Sequence, residues 1–77
     1  MRLEYSEVQR IIELHKKFLA GDESGVKAEL VEANLYGANL IGVNLQGANL
    51  EKANLKRSLL CNANLSQTNL KGAFFKH

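Results

Sequence analysis

The chain has 77 residues, 45% of them hydrophobic, and ten Lys/Arg against eight Asp/Glu leave a formal net charge of +2. That length supports one small domain. The single cysteine, Cys61, excludes an internal disulfide framework, and no apolar run is long enough to cross a bilayer. No secretory leader is visible, so a cytoplasmic location is expected.

The first 27 residues read as a helix and a loop. Ser6-Glu7-Val8-Gln9 has the spacing of a capping box. Val8, Ile11, Ile12, His15, Phe18 and Leu19 follow at helical spacing and form one apolar stripe. Glu7, Arg10, Glu13 and Lys17 fall off that stripe. Gly21 ends the pattern, and Gly21 to Gly25 reads as a loop. The expected helix runs from about Ser6 to Ala20.

From Ala28 the rhythm changes. Leucine recurs every five residues from Leu30 to Leu70, and Phe75 takes the tenth place. A small residue stands two before each of these, from Ala28 to Ala73. Asn stands between them in seven of the ten units. A period of five fits neither helix nor strand and marks a repeat architecture. The run AELVE ANLYG ANLIG VNLQG ANLEK ANLKR SLLCN ANLSQ TNLKG AFFKH, residues 28–77, resembles the pentapeptide-repeat family, whose unit is A-[D/N]-L-x-x.

The resemblance implies an all-β solenoid: a right-handed quadrilateral β-helix of about two and a half coils, one repeat per side, with residues twenty apart stacked. The Leu and the small residue would point inward, and the other three positions would face solvent. Ser58 and Thr68, at small-residue places, would then need backbone partners for their hydroxyls. Leu14 to Leu19 with Gly25 to Ala28 is similar to a leader seen before the repeats in many family members. Residues 1–27 are therefore expected to be an amphipathic cap over the first coil, with His15 a packed cap residue, and residues 28–77 the β-helix.

No catalytic chemistry is legible. His15 and His77 lie on different elements, the carboxylates are scattered, and no Cys/His cluster has metal-ligand spacing. Neither enzymatic activity, cofactor, metal nor small-molecule substrate is expected. Three surfaces stand out instead under twenty-residue stacking. The C-terminal tip, with Leu65, Leu70, Phe74 and Phe75, lacks a coil above it. Ile41, Leu59 and Cys61 form an apolar patch. Tyr36, Lys56, Arg57 and Lys76 form a basic face, Lys56 stacking under Lys76 and Arg57 under His77.

The function these features favour is a protein-interaction scaffold that self-associates as a dimer, or docks on a protein partner, through its C-terminal end. Nucleic acid is not the expected partner, because few basic groups are available to neutralise phosphates. The family's best-known activity, mimicry of duplex DNA toward DNA gyrase, is the alternative. It is disfavoured because the rod is short and the repeats carry five basic and three acidic residues. A weak anionic or nucleic-acid binder through the basic face is a further alternative.

Overall fold

In a computed structural model of the chain, residues 3–75 are described. One helix, α1 (Tyr5–Leu19), precedes the repeats. Its start is set by Glu4 and Glu7 rather than by Ser6 and Gln9. The Glu4 N–H donates to the Glu7 carboxylate at 3.1 Å. Two carboxylates at the positive end of the helix dipole do what a Ser/Gln pair would do two residues later.

The other end closes with a Schellman turn. The Asp22 N–H donates to the Lys17 carbonyl and the Gly21 N–H to the Phe18 carbonyl, with Gly21 at φ +81°. The loop then folds back: the Ser24 N–H and hydroxyl both donate to Asp22 Oδ1, at 2.8 and 2.7 Å, and the Val26 N–H reaches the Leu14 carbonyl at 3.0 Å. Gly25 permits this approach, because a Cβ there would lie 2.1 Å from the Phe18 nitrogen.

Beyond residue 27 every repeat has one local design. The N–H of the next repeat's small residue donates to the carbonyl of the Leu, at 2.9–3.3 Å from Ala33 to Ala73. The fifth residue, from Glu32 to Gly72, has φ between 57° and 75°. That combination is the signature of a type II turn, which needs a positive φ at its third position. Each Asn contributes too. In all seven Asn repeats Oδ1 accepts the N–H two residues on, at 3.0–3.1 Å. The second position is therefore structural, not merely solvent-facing: it is an Asx turn that straightens the approach to each corner.

Single-residue parallel bridges join positions twenty apart: Glu29 to Asn49, Asn34 to Asn54, Asn39 to Leu59, Asn44 to Asn64, Asn49 to Asn69 and Asn54 to Phe74. Parallel pairing at a constant offset makes the chain a β-helix solenoid. Its axis is lined by Leu30, Leu35, Leu40, Leu45, Leu50 and Leu55, each at most 2% exposed. Ala28, Ala33, Ala48 and Ala53 fill the space between them. The two hydroxyls at small-residue positions find carbonyls, Ser58 that of Leu55 at 2.7 Å and Thr68 that of Leu45 at 3.0 Å.

The helix packs on the first coil through Val8, Ile12 and His15. His15 is fully buried and uses both ring nitrogens. Nδ1 accepts the Ala28 N–H at 2.9 Å, and Nε2 lies 2.7 Å from the Gln46 carbonyl. Accepting at Nδ1 assigns the ring to the Nε2–H tautomer, which donates to Gln46. One side chain thus ties the helix to the first and the fourth repeats. Ile11 is half-buried, and Phe18 and Leu19 are 45% and 38% exposed, contrary to a stripe running the whole helix. Phe18 stacks on His15 with centroids 5.8 Å apart, but its outer side has no coil to meet. The chain has already turned back at Gly21, and the loop, not the solenoid, follows the last helical turn.

Candidate functional site

The two ends of the solenoid differ. At the helix end the core leucines are sealed. At the other end Leu60, Leu65 and Leu70 are only partly buried, and Phe74 and Phe75 are 52% and 43% exposed. The backbone follows the same division. The N–H groups of Leu30, Leu35, Leu40, Leu45, Leu50 and Leu55 each donate to the coil above at 2.7–2.9 Å. Among the described residues, those of Leu60, Leu65 and Leu70 have no such acceptor. The expected tip residues Leu65, Leu70, Phe74 and Phe75 are thus all partly or largely exposed, and no coil lies above them among the described residues.

The second surface is lateral. Ile41 and Leu59 are 51% and 52% exposed, and Cys61 is an exposed free thiol. The Asn39–Leu59 bridge places Leu59 one coil above Asn39, and the Gly42 N–H to Cys61 carbonyl bond sets Cys61 beside the same edge, so the three share one side. Leu59 occupies an Asn place, so no side-chain oxygen is available there to accept the Cys61 N–H.

The third surface adjoins it. Tyr36, Lys56 and Arg57 are exposed, and the Gly37 N–H to Lys56 carbonyl bond holds Tyr36 and Lys56 in neighbouring coils. Lys76 and His77 lie outside the described residues, and with them the expected Lys56–Lys76 and Arg57–His77 stacks. Lys56 is placed instead with its ammonium 5.8 Å from the centroid of the Phe74 ring, a cation–π contact that links the basic face to the tip. Below it Leu3, Asn34, Tyr36 and Asn54 line a shallow cleft of about 230 Å³.

Among the described residues no group of three or more His, Cys, Asp or Glu side chains is arranged to hold a metal. No described helix is long and apolar enough to cross a membrane. Every buried side-chain nitrogen and oxygen described has a hydrogen-bond partner. The Asp22 carboxyl is held below its usual range by the Ser24 N–H and hydroxyl, with Lys17 nearby, but it lies in the exposed cap loop and serves the turn.

Comparison with known proteins agrees with this geometry. The family model described as "Pentapeptide repeats" matches residues 26–57 and 38–76, with eight copies. The crystal structure of Rfr23, a pentapeptide repeat protein from the cyanobacterium Cyanothece 51142, superposes with a TM-score of 0.62 at 55% identity, covering 64% of this chain and 33% of that one. HetL, a pentapeptide repeat protein involved in heterocyst differentiation regulation from the cyanobacterium Nostoc sp. strain PCC 7120, superposes with a TM-score of 0.62 at 46% identity, covering 62% of this chain and 20% of that one. The chain thus spans about a third and a fifth of the length of these two proteins. No curated protein matches it. The leucine lattice, the register of twenty and the family match over most of the chain lead to one conclusion: this chain belongs to the pentapeptide-repeat family.

Proposed function

We propose that the chain is a non-enzymatic protein-interaction scaffold: a right-handed quadrilateral β-helix of about two and a half coils, closed by a helix at one end and covered by protein at the other. The observation that carries this reading is the gradient of burial along one stack of leucines. Leu30 and Leu50 are 1% and 0% exposed, whereas Leu70 above them is only partly buried and Phe75 lies beside it at 43%. An open ladder edge with apolar side chains under it is a template for another chain. A solenoid end that faced water permanently would be polar.

A second copy of this chain suits the end geometrically. The helix seals the other end, so head-to-tail stacking into a filament is blocked. A two-fold, tip-to-tip pair closes on itself and covers both ends with one self-complementary surface. A different protein would use the same groups. Mimicry of duplex DNA finds no support in the surface, whose repeats hold Glu29, Glu32 and Glu51 as their acidic residues, all on one side of the register.

The test is Phe75→Asp, compared with the parent by light scattering at micromolar concentration and by pull-down from native lysate. The parent is expected to be larger than a monomer or to retain a partner, and the variant to lose that association while keeping its fold. A parent that is monomeric and partnerless, with a variant that folds and behaves identically, would overturn the proposal.

A further inference from the structure

Large apolar side chains are unevenly spread over the solenoid surface. Tyr36, Ile41, Leu59 and Phe74 are each more than half exposed, at 56%, 51%, 52% and 52%. The register of twenty puts Tyr36 and Phe74 on one side and Ile41 and Leu59 on the next. These two sides meet at one corner, where Gly37 and Arg57 make the turns. The outward positions of the other two sides carry Asn, Gln, Ser, Glu and Lys, with Val31 the one large hydrophobic among them.

Two of the four stand where the repeat gives something up. Leu59 and Phe74 replace Asn at the second position, and with it the Asx hydrogen bond that the seven Asn repeats make. Hydrocarbon faces water in exchange for a lost acceptor. Local departures of this kind, against stability and grouped in space, mark a surface in use.

The charge at the corner is one-sided. Lys56 and Arg57 are exposed there, and the five repeats of these two sides contain no Asp or Glu. The neutral polar groups add donors. Asn34 and Asn54 spend their Oδ1 atoms on the Tyr36 and Lys56 N–H groups, so the capacity left beside the Leu3–Tyr36 cleft is in their Nδ2 amides. Cations and donors flanked by aliphatic and aromatic groups complement a segment rich in acceptors that also carries hydrocarbon. A phosphate backbone would satisfy the cations but leave Ile41 and Leu59 uncovered.

We propose that this corner docks an acidic, apolar-bearing segment of another protein, with a carboxylate against Lys56 and Arg57 and a large hydrophobic side chain against Leu59, Ile41 and Phe74. The proposal rests on the reading of the chain as a binding scaffold and specifies the partner's chemistry at a lateral surface that shares only Phe74 with the tip.

The experiment selects phage-displayed random dodecapeptides on the intact chain and measures the enriched sequences as synthetic peptides by fluorescence anisotropy. They are expected to be acidic and to contain Leu, Phe, Tyr or Trp. Leu59→Asn restores the residue the lattice uses elsewhere, so it keeps the fold, as its melting curve will report. It is expected to weaken binding about tenfold or more. Lys56→Gln with Arg57→Gln should weaken binding and flatten its salt dependence. Phe75→Asp, at the tip, should change neither. No enrichment, enrichment of neutral or basic peptides, or affinities indifferent to Leu59→Asn would overturn the corner. Displacement of the peptide by an equimolar short DNA duplex would assign the surface to nucleic acid and overturn it as well. Peptides sensitive to Phe75→Asp alone would sink this inference while leaving the scaffold reading standing.

Discussion

The two ends of this solenoid are built from the same five-residue rule and finish in opposite ways. At the N-terminal end α1 lies over the first coil, and His15 accepts from Ala28 and donates to Gln46, so the first coil's core and part of its backbone are satisfied from within. At the C-terminal end Leu60, Leu65 and Leu70 keep their inward places, but among the described residues no coil lies above them. The difference teaches that a repeat's burial is supplied by its neighbours, not by its own sequence. A Leu in the same place of the same motif is sealed or half-open according to what is stacked on it.

The sharpest way to break this comparison is to cut the same side chain from the middle and from the open end of one stack. Leu50→Ala removes a fully buried group with coils on both sides and is expected to cost about 2–5 kcal/mol. Leu70→Ala, with one face open, should cost roughly half as much or less. Equal losses in denaturant midpoint would mean that the tip is as well packed as the middle.

The cap can be tested through its buried His15. His15→Leu keeps bulk but strands the Ala28 N–H and the Gln46 carbonyl, and is expected to cost about 2–4 kcal/mol. His15→Gln, able to donate and accept, should recover part of that loss. If the two variants melt together near the parent, the clamp contributes packing alone.

Smaller effects separate the sides. Asn54→Ala removes an Asx acceptor and should cost about 1 kcal/mol, whereas Leu59→Asn adds one and should raise stability by about 0.5–1 kcal/mol. Destabilisation by Leu59→Asn would show that Leu59 contributes to the fold rather than to a partner.

The smallest expected effect is acid loosening of the cap loop. The Asp22 carboxyl titrates below its ordinary value because Ser24 donates to its ionised form. Its contribution is therefore complete above about pH 4 and lost as pH falls through the lowered folded value. Asp22→Asn should remove that dependence from the melting profile between about pH 5 and about pH 2. An unchanged profile would mean that other groups govern the acid limb.

How much of this was readable beforehand differs by residue. The leucine lattice is legible because a period of five survives every substitution around it. Four repeats per coil is not contained in that period, and came from the resemblance. The repeat pattern assigns the seven Asn residues to solvent although their task is local: an acceptor two residues before a turn N–H is visible in sequence, and the regularity of Asn is its signal. His15 was placed in the cap, but its bonds were hidden, because both partners are backbone groups, 13 and 31 residues away. Phe18 and Leu19 continue the helical stripe in sequence, yet the surface beneath the stripe ends sooner than the stripe does. The capping box moved to Glu4 and Glu7 because Glu at the third helical position reaches back as well as Gln does, a choice that spacing alone leaves open. The contact between Lys56 of the basic face and the Phe74 ring, 18 residues apart, required the fold.

The most direct test of a sealed end opposed to an open one is amide hydrogen exchange, residue by residue, in dilute solution without a partner. The leucine amides from Leu30 to Leu55, which donate to the coil above, are expected to exchange orders of magnitude more slowly than those of Leu60, Leu65 and Leu70. Raising the protein concentration or adding the partner should slow the last three selectively. Uniform protection along the stack in the dilute monomer, or uniform exchange from Leu30 to Leu70, would contradict the account.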